Sequence, residues 1–119
     1  MDNCLFCKIA AGTVPSRKVY EDEEVYAFHD IHPVAPVHFM LVPKRHADSL
    51  EHCDDSYRDV LGKMLLLAPK LAREQGLPDG FRLVVNTGPG GRQEVMHLHL
   101  HVIGGGEKAP RMGETLKTL

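Results

Sequence analysis

The segment His97-Leu98-His99-Leu100-His101-Val102-Ile103 constrains this chain more than any other. Polar and apolar residues alternate strictly through it, which is the period of a β-strand buried on one face. Side chains on a strand change face at every step, so His97, His99 and His101 share one face, while Leu98, Leu100 and Val102 point into the core. Alternate imidazoles stand about 7 Å apart along such a strand. A merely solvated face is usually built from Lys, Glu, Thr or Ser. Two chemistries suit a row of imidazoles. One is a zinc site with an open position for water; the other is nucleophilic attack by a neutral imidazole on phosphorus. The preceding loop, Thr87-Gly88-Pro89-Gly90-Gly91-Arg92-Gln93, exceeds a hairpin turn in length. Its glycines let backbone N–H groups approach an anion, and Gln93 adds an amide donor. A phosphate cradle leading into a row of histidines points to phosphoryl or nucleotidyl transfer.

The remaining pattern predicts an α+β domain of five strands, one main helix and one short helix. Residues 4–11 read as the short helix, stopped by Gly12 and Pro15. Lys18–Tyr20 and Val25–His29 are strands flanking an acidic turn, and Phe39–Val42 is a continuous apolar run and so a buried strand. The main helix is predicted from Asp55 to Gln75. Asp54 or Asp55 caps it, Tyr57, Leu61, Met64, Leu65, Ala68, Leu71 and Ala72 form its apolar stripe, and Pro69 kinks it. Phe81–Val85 and His97–Ile103 complete the strands. The 119 residues suit one domain, 1–119, with a core over 3–105 and a surface tail over 106–119. A formal charge of −2 lacks the basic footprint of a nucleic-acid binder, and no apolar run approaches the length of a membrane span. Met1-Asp2-Asn3-Cys4 has neither the basic start nor the apolar core of a signal peptide. Three cysteines, an odd number, argue against a disulfide framework, so the expected location is the cytoplasm, with neither nucleic acid nor membrane as partner.

The His-φ-His-φ-His-φ-φ pattern resembles the signature of the histidine triad (HIT) superfamily. Leu5-Phe6-Cys7-Lys8-Ile9, Val19-Tyr20-Glu21-Asp22, Ala27-Phe28-His29-Asp30-Ile31, Ala35-Pro36-Val37-His38-Phe39, Val85-Asn86 and Gly104-Gly105 are similar to its Hint branch, the purine nucleoside phosphoramidases. The resemblance implies a five-stranded antiparallel sheet and a homodimer that joins two such sheets into one of ten strands. It implies binding of AMP or GMP and hydrolysis of the P–N bond of nucleoside 5′-phosphoramidates, or of acyl-adenylate relatives, through a nucleotidyl-histidine intermediate. By the same resemblance His99 is the nucleophile, His101 contacts phosphate and leaving group, and His97 fixes the geometry beside it. Asp30 would accept from the ribose hydroxyls, and Leu5, Phe6, Ile9, Phe28, His29 and Ile31 would line the base pocket. Asn86, Gln93, Glu94 and Val95 would meet the phosphate, the last two partly through backbone N–H. His38 would orient His97 or His99.

The chain departs from that pattern at Arg92, where the branch usually has Gly, at Glu94, where animal relatives have Ser, and in its tail. These departures leave the leaving group open. Cys4-Leu5-Phe6-Cys7 by itself suits zinc, redox chemistry or neither. The resemblance adds His46 and His97, which with Cys4 and Cys7 would make a closed structural zinc site; no cofactor is required for the chemistry itself. Competing readings are a dinucleoside polyphosphate hydrolase, a nucleotide-sensing or scaffold protein with incidental hydrolysis, and a metal-hydroxide hydrolase using the triad as ligands.

Overall fold

The computed structural model describes residues 3–105, so the tail over 106–119 lies outside it. A short helix, α1 (Leu5–Ala10), is followed by strands β1 (Lys18–Glu21), β2 (Val25–His29) and β3 (Val37–Pro43). After 3-10 turns at Leu50–His52 and Asp55–Tyr57 come the main helix, α2 (Arg58–Glu74), and then β4 (Arg82–Val84) and β5 (Leu100–Gly104). The strands form one antiparallel sheet in the order β1-β2-β3-β5-β4. The fold is therefore the α+β arrangement that the sequence pattern predicts.

The sheet separates two apolar clusters, and the strand period decides which residue joins which. Val25, Ala27, Phe39, Leu41, Leu100 and Val102 pack with Met64, Ala68, Leu71 and Ala72 of α2. Tyr26, Phe28, Met40 and Val42 pack instead with Phe6 and Ile9 of α1. His101 stands opposite Met40 in the ladder and so belongs to the α1 face.

Several details differ from the sequence pattern. The main helix starts as a 3-10 turn, capped by the Asp54 carboxylate on the Ser56 N–H at 2.9 Å, and Pro69 sits inside α2 without ending it. Leu65, expected on the core stripe, is 52% exposed, while Val60 and Leu67 are buried. The largest difference is in the histidine strand, where the ladder begins only at Leu100. Continuing the register of Leu41 with Leu100 would set Pro43 against Leu98, and proline has no N–H to donate. The Leu98 N–H turns to the Ala47 carbonyl at 2.8 Å instead. The alternation survives this break, because Leu98 still lies in the α2 core.

The β1–β2 turn is tied to α2 through Asp22. Its Oδ1 accepts the N–H groups of Glu24 and Val25 at 2.8 and 2.9 Å. Its Oδ2 accepts the Tyr20 hydroxyl at 2.7 Å and faces the Lys63 ammonium at 2.8 Å. Burial alone would raise the Asp22 carboxyl, but these donors outweigh it and hold it well below the usual carboxylate range.

Candidate active site and metal centre

Beneath α1 the sheet opens into a pocket of about 340 Å³. One part is apolar. Phe6 and Phe28 meet edge to face at 5.4 Å, with Leu5, Ile9, Met40 and Ile31 around them; Ile31 is 82% exposed and stands at the rim. The other part is polar, lined by Asp30, His38, His99, His101 and Glu94. Among the described lining residues there is no Lys or Arg.

The hydrogen bonds fix which ring nitrogen carries the proton. A carbonyl only accepts, so His99 Nδ1–H donates to the His97 carbonyl at 2.7 Å, and the lone pair remains on Nε2. His38 Nδ1 accepts the Val34 N–H at 3.2 Å, so its Nε2–H donates to His101 Nδ1 at 2.8 Å. His101 must then hold its own proton on Nε2, which is buried with no partner among the described residues. The pocket thus contains an imidazole lone pair on His99 beside an unsatisfied N–H donor on His101, their rings 4.9 Å apart. Burial pushes the His99 ring below its ordinary value, against the opposing pull of the His97 carbonyl and Asp30. Burial, with His99 and His38 nearby, takes His101 down to about 3. Both rings are neutral at neutral pH.

Asp30 follows β2 directly. Its Oδ1 accepts the His32 N–H at 2.8 Å and its Oδ2 lies 3.4 Å from His38 Nε2. His38 is therefore placed beside His101 and Asp30, and not beside His97 or His99 as the resemblance implies. The 2.8 Å separation of His38 and His101 is that of a shared proton. Two nitrogens on one tetrahedral zinc would stand roughly 3.3 Å apart.

His97 faces away from the pocket. Its Nε2–H donates to the Pro43 carbonyl at 2.8 Å, leaving the Nδ1 lone pair toward α1. His46 Nε2–H donates to Asp48 Oδ1 at 2.6 Å, so its Nδ1 is also a lone pair, 3.2 Å from that of His97. Two acceptors facing each other need a cation between them. Cys4 Sγ lies 3.2 Å from His97 Nδ1, and Cys7 Sγ lies 3.4 Å from both imidazoles. Around a tetrahedral zinc the N–N and N–S edges are roughly 3.3 and 3.6 Å, so the four residues fit the ion. Four protein ligands complete a tetrahedron and leave no position for water, and the bonds of the two far ring nitrogens to Asp48 and Pro43 orient the imidazoles. Burial, then the adjacent Cys4 thiol, pushes the Cys7 thiol up to about 11.

The Gly-rich loop forms a 3-10 turn at Pro89–Gly91. The N–H groups of Gly91, Arg92, Gln93 and His97 bond within the protein. Those of Glu94 and Val95 find no partner among the described residues, and both residues line the pocket. Gln93 and Asn86 do not line it, nor does His97. The Gln93 amide, expected as a phosphate donor, gives both its hydrogens to carbonyls, of Asp48 at 2.7 Å and Val95 at 2.9 Å. Sequence reasoning missed Val14, Pro15, Ser16, His32, Val34 and Met40 in the lining, and Asp48 behind His46. Met40 was findable, since it lies two residues from His38 on the same strand face.

A HIT domain profile matches residues 11–108. The chain belongs to the HIT family. It is 54% identical over 104 residues to Protein HitA of Neisseria gonorrhoeae, covering 87% of this chain and 97% of HitA. It is 45% identical over 103 residues to a 14 kDa zinc-binding protein of Brassica juncea, covering 85% of this chain and 91% of that one. Its structure superposes with a TM-score of 0.85 on a HIT family hydrolase from Legionella pneumophila, at 46% identity over 88% of this chain and 95% of that one.

Proposed function

We propose that this HIT protein is a nucleotide-binding hydrolase that cleaves the P–N bond of purine nucleoside 5′-phosphoramidates, and the corresponding P–O bond of acyl-adenylate relatives, through a nucleotidyl-His99 intermediate. The observation that carries the reading is the proton placement. His99 offers its Nε2 lone pair to the same pocket into which His101 holds an unpartnered Nε2–H. The description of the Legionella neighbour as a hydrolase supports the reaction class.

The aromatic slot between Phe6 and Phe28 takes the base, and the Asp30 carboxylate accepts from the ribose hydroxyls. The unpaired N–H groups of Glu94 and Val95 and the His101 Nε2–H receive the phosphate oxygens. His99 Nε2 then attacks phosphorus, and its own Nδ1–H stays on the His97 carbonyl, which stabilises the ring as it becomes charged. The P–N electron pair leaves with the nitrogen, which is protonated from the aqueous mouth of the pocket. Water attacks the same phosphorus, releases the nucleoside monophosphate and restores the His99 lone pair. The pocket's charge supports this substrate class over dinucleoside polyphosphates. Two carboxylates, with no lysine or arginine among the described lining residues, tolerate a single phosphate charge better than several.

Cys4, Cys7, His46 and His97 would hold zinc, which supplies a structural clamp between α1 and the segment leading to His99. The relative described as a zinc-binding protein supports this assignment. A homodimer that joins two sheets into one of ten strands needs an edge strand to pair, and β4 stands at a sheet edge, with Leu65 and Leu66 of α2 also exposed. Cysteines that form no disulfide suit a reducing compartment, the cytoplasm.

The test is intact-mass analysis after rapid mixing with adenosine 5′-phosphoramidate. An adenylyl adduct should appear on the wild type and be absent from His99→Ala, which still binds AMP. AMP binding without any adduct or turnover would favour a nucleotide sensor. A His99→Ala variant retaining more than about a tenth of wild-type turnover would overturn the nucleophile, since a tenth is only about 1.4 kcal/mol of barrier.

A further inference from the structure

Gln93 has a role other than the phosphate contact that its position in the motif implies. Its side chain makes three hydrogen bonds, and each ends on backbone. Oε1 accepts the Gly88 N–H at 2.9 Å, while Nε2 donates to the Asp48 and Val95 carbonyls. The Gln93 backbone N–H also returns to the Gly88 carbonyl at 3.0 Å, so the loop from Gly88 to Gln93 is closed twice. Closure is needed there. Gly88 adopts φ +66° with ψ −174°, a conformation that glycine takes without a side-chain clash, and Arg92 is left-handed at φ +61°, so the backbone cost falls at the Arg92 end. Only a side chain with one acceptor and two donors at this reach serves all three backbone partners.

The bonds also connect two sites. Asp48 receives the His46 Nε2–H on its carboxylate and the Gln93 amide on its carbonyl. The Val95 carbonyl, held by the same amide, belongs to a lining residue whose N–H has no partner among the described residues, as does that of Glu94. We propose that Gln93 is a positioning residue that holds the Glu94 and Val95 amides toward a substrate phosphate and suspends them, through Asp48, from the Cys4-Cys7-His46-His97 clip. Its phosphate component rests on the nucleotide reading above.

The experiment uses the full chain carrying its metal, with Gln93→Ala and Gln93→Glu, and with AMP and adenosine as probes. Gln93→Ala should weaken AMP about tenfold, as befits two misaligned N–H bonds to an anion, and leave adenosine within about twofold. In the ligand-free protein the Gly88 amide should lose hydrogen-exchange protection in Gln93→Ala. It should keep that protection in Gln93→Glu, which retains the acceptor but loses both donors, and which should weaken AMP as Gln93→Ala does. Zinc should pass to a chelator faster from both variants than from wild type. Equal loss of AMP and adenosine would reduce Gln93 to a structural brace and overturn the proposal. Loss of AMP with unchanged Gly88 protection and zinc release would overturn it in favour of direct phosphate contact. If the wild type binds neither probe, the nucleotide reading fails, while Gly88 protection and zinc release still decide whether Gln93 ties the loop to the clip.

Discussion

The state of the His99 ring can be tested by acidification. Attack on phosphorus requires the neutral imidazole, so kcat/KM should follow the fraction of His99 that is unprotonated. An ordinary histidine, with a value near 6.5, would be half protonated there and only about 9% neutral at pH 5.5. Burial lowers His99 below that value, although its bond to the His97 carbonyl and the charge of Asp30 pull the other way. The acid limb of kcat/KM should therefore lie below pH 6.5, and the rate at pH 5.5 should exceed 9% of the plateau. The assay is initial-rate hydrolysis of a fluorogenic adenosine phosphoramidate from pH 4.5 to 8, corrected for the substrate's own acid hydrolysis. A 13C-filtered NMR titration of the ligand-free protein follows the ring itself. Asp30→Asn removes a charge that favours protonation, so its limb should move lower still. A wild-type limb at or above pH 6.5, or an upward shift in Asp30→Asn, would refute the electrostatic account of this pocket.

Asp30→Asn should also weaken AMP more than its 2′,3′-dideoxy analogue, since an amide offers one acceptor where the carboxylate offers two; equal losses in titration calorimetry would make Asp30 a purely structural residue. Cys4→Ser with Cys7→Ser should lose about one bound zinc per chain and melt at lower temperature, yet retain P–N hydrolysis in the cold, because no reacting nitrogen points into the clip. Loss of all turnover with the fold intact would return the metal to the chemistry. Asp22→Asn keeps an acceptor for the turn N–H groups but loses the Lys63 ion pair, and should be about 1–2 kcal/mol less stable at pH 7 by urea denaturation. The folded carboxyl titrates below its unfolded value, so Asp22 contributes fully above about pH 4 and loses that contribution as pH falls further. The two proteins should converge in acid; a constant difference there would place the effect in packing.

The elements themselves were legible because their signals are local. Alternation placed Leu98, Leu100 and Val102 in the core even where the ladder stops, and capping residues marked the start of α2. β3 was harder to read. It is covered by α1 on one face and α2 on the other, so its alternation is erased into a continuous apolar run, and Met40 did not stand out as a pocket residue. Within the site, the expected pocket roles of Gln93 and His97 did not follow from their nearness to His99 in sequence, whereas the grouping of His97 with Cys4, Cys7 and His46 was legible. His97 and Gln93 sit close to His99 along the chain, but their side chains answer to distant backbone, the Pro43 and Asp48 carbonyls. That His101 presents a proton and not a lone pair likewise depends on Val34 and His38, far from the triad in sequence. No local pattern encodes such partners.

His97 divides its duties between side chain and main chain. The imidazole belongs to the clip, whereas the group that sets the tautomer of His99 is a carbonyl, which every amino acid supplies. Substitution can therefore remove the clip's fourth side chain without deleting the acceptor that fixes the His99 tautomer. A lineage carrying this fold could lose the clip, replacing Cys4, Cys7, His46 and the His97 ring by packed apolar side chains, and keep the His99 lone pair where it is. The clip and the His99 tautomer are thus free to evolve apart, although they meet at one residue.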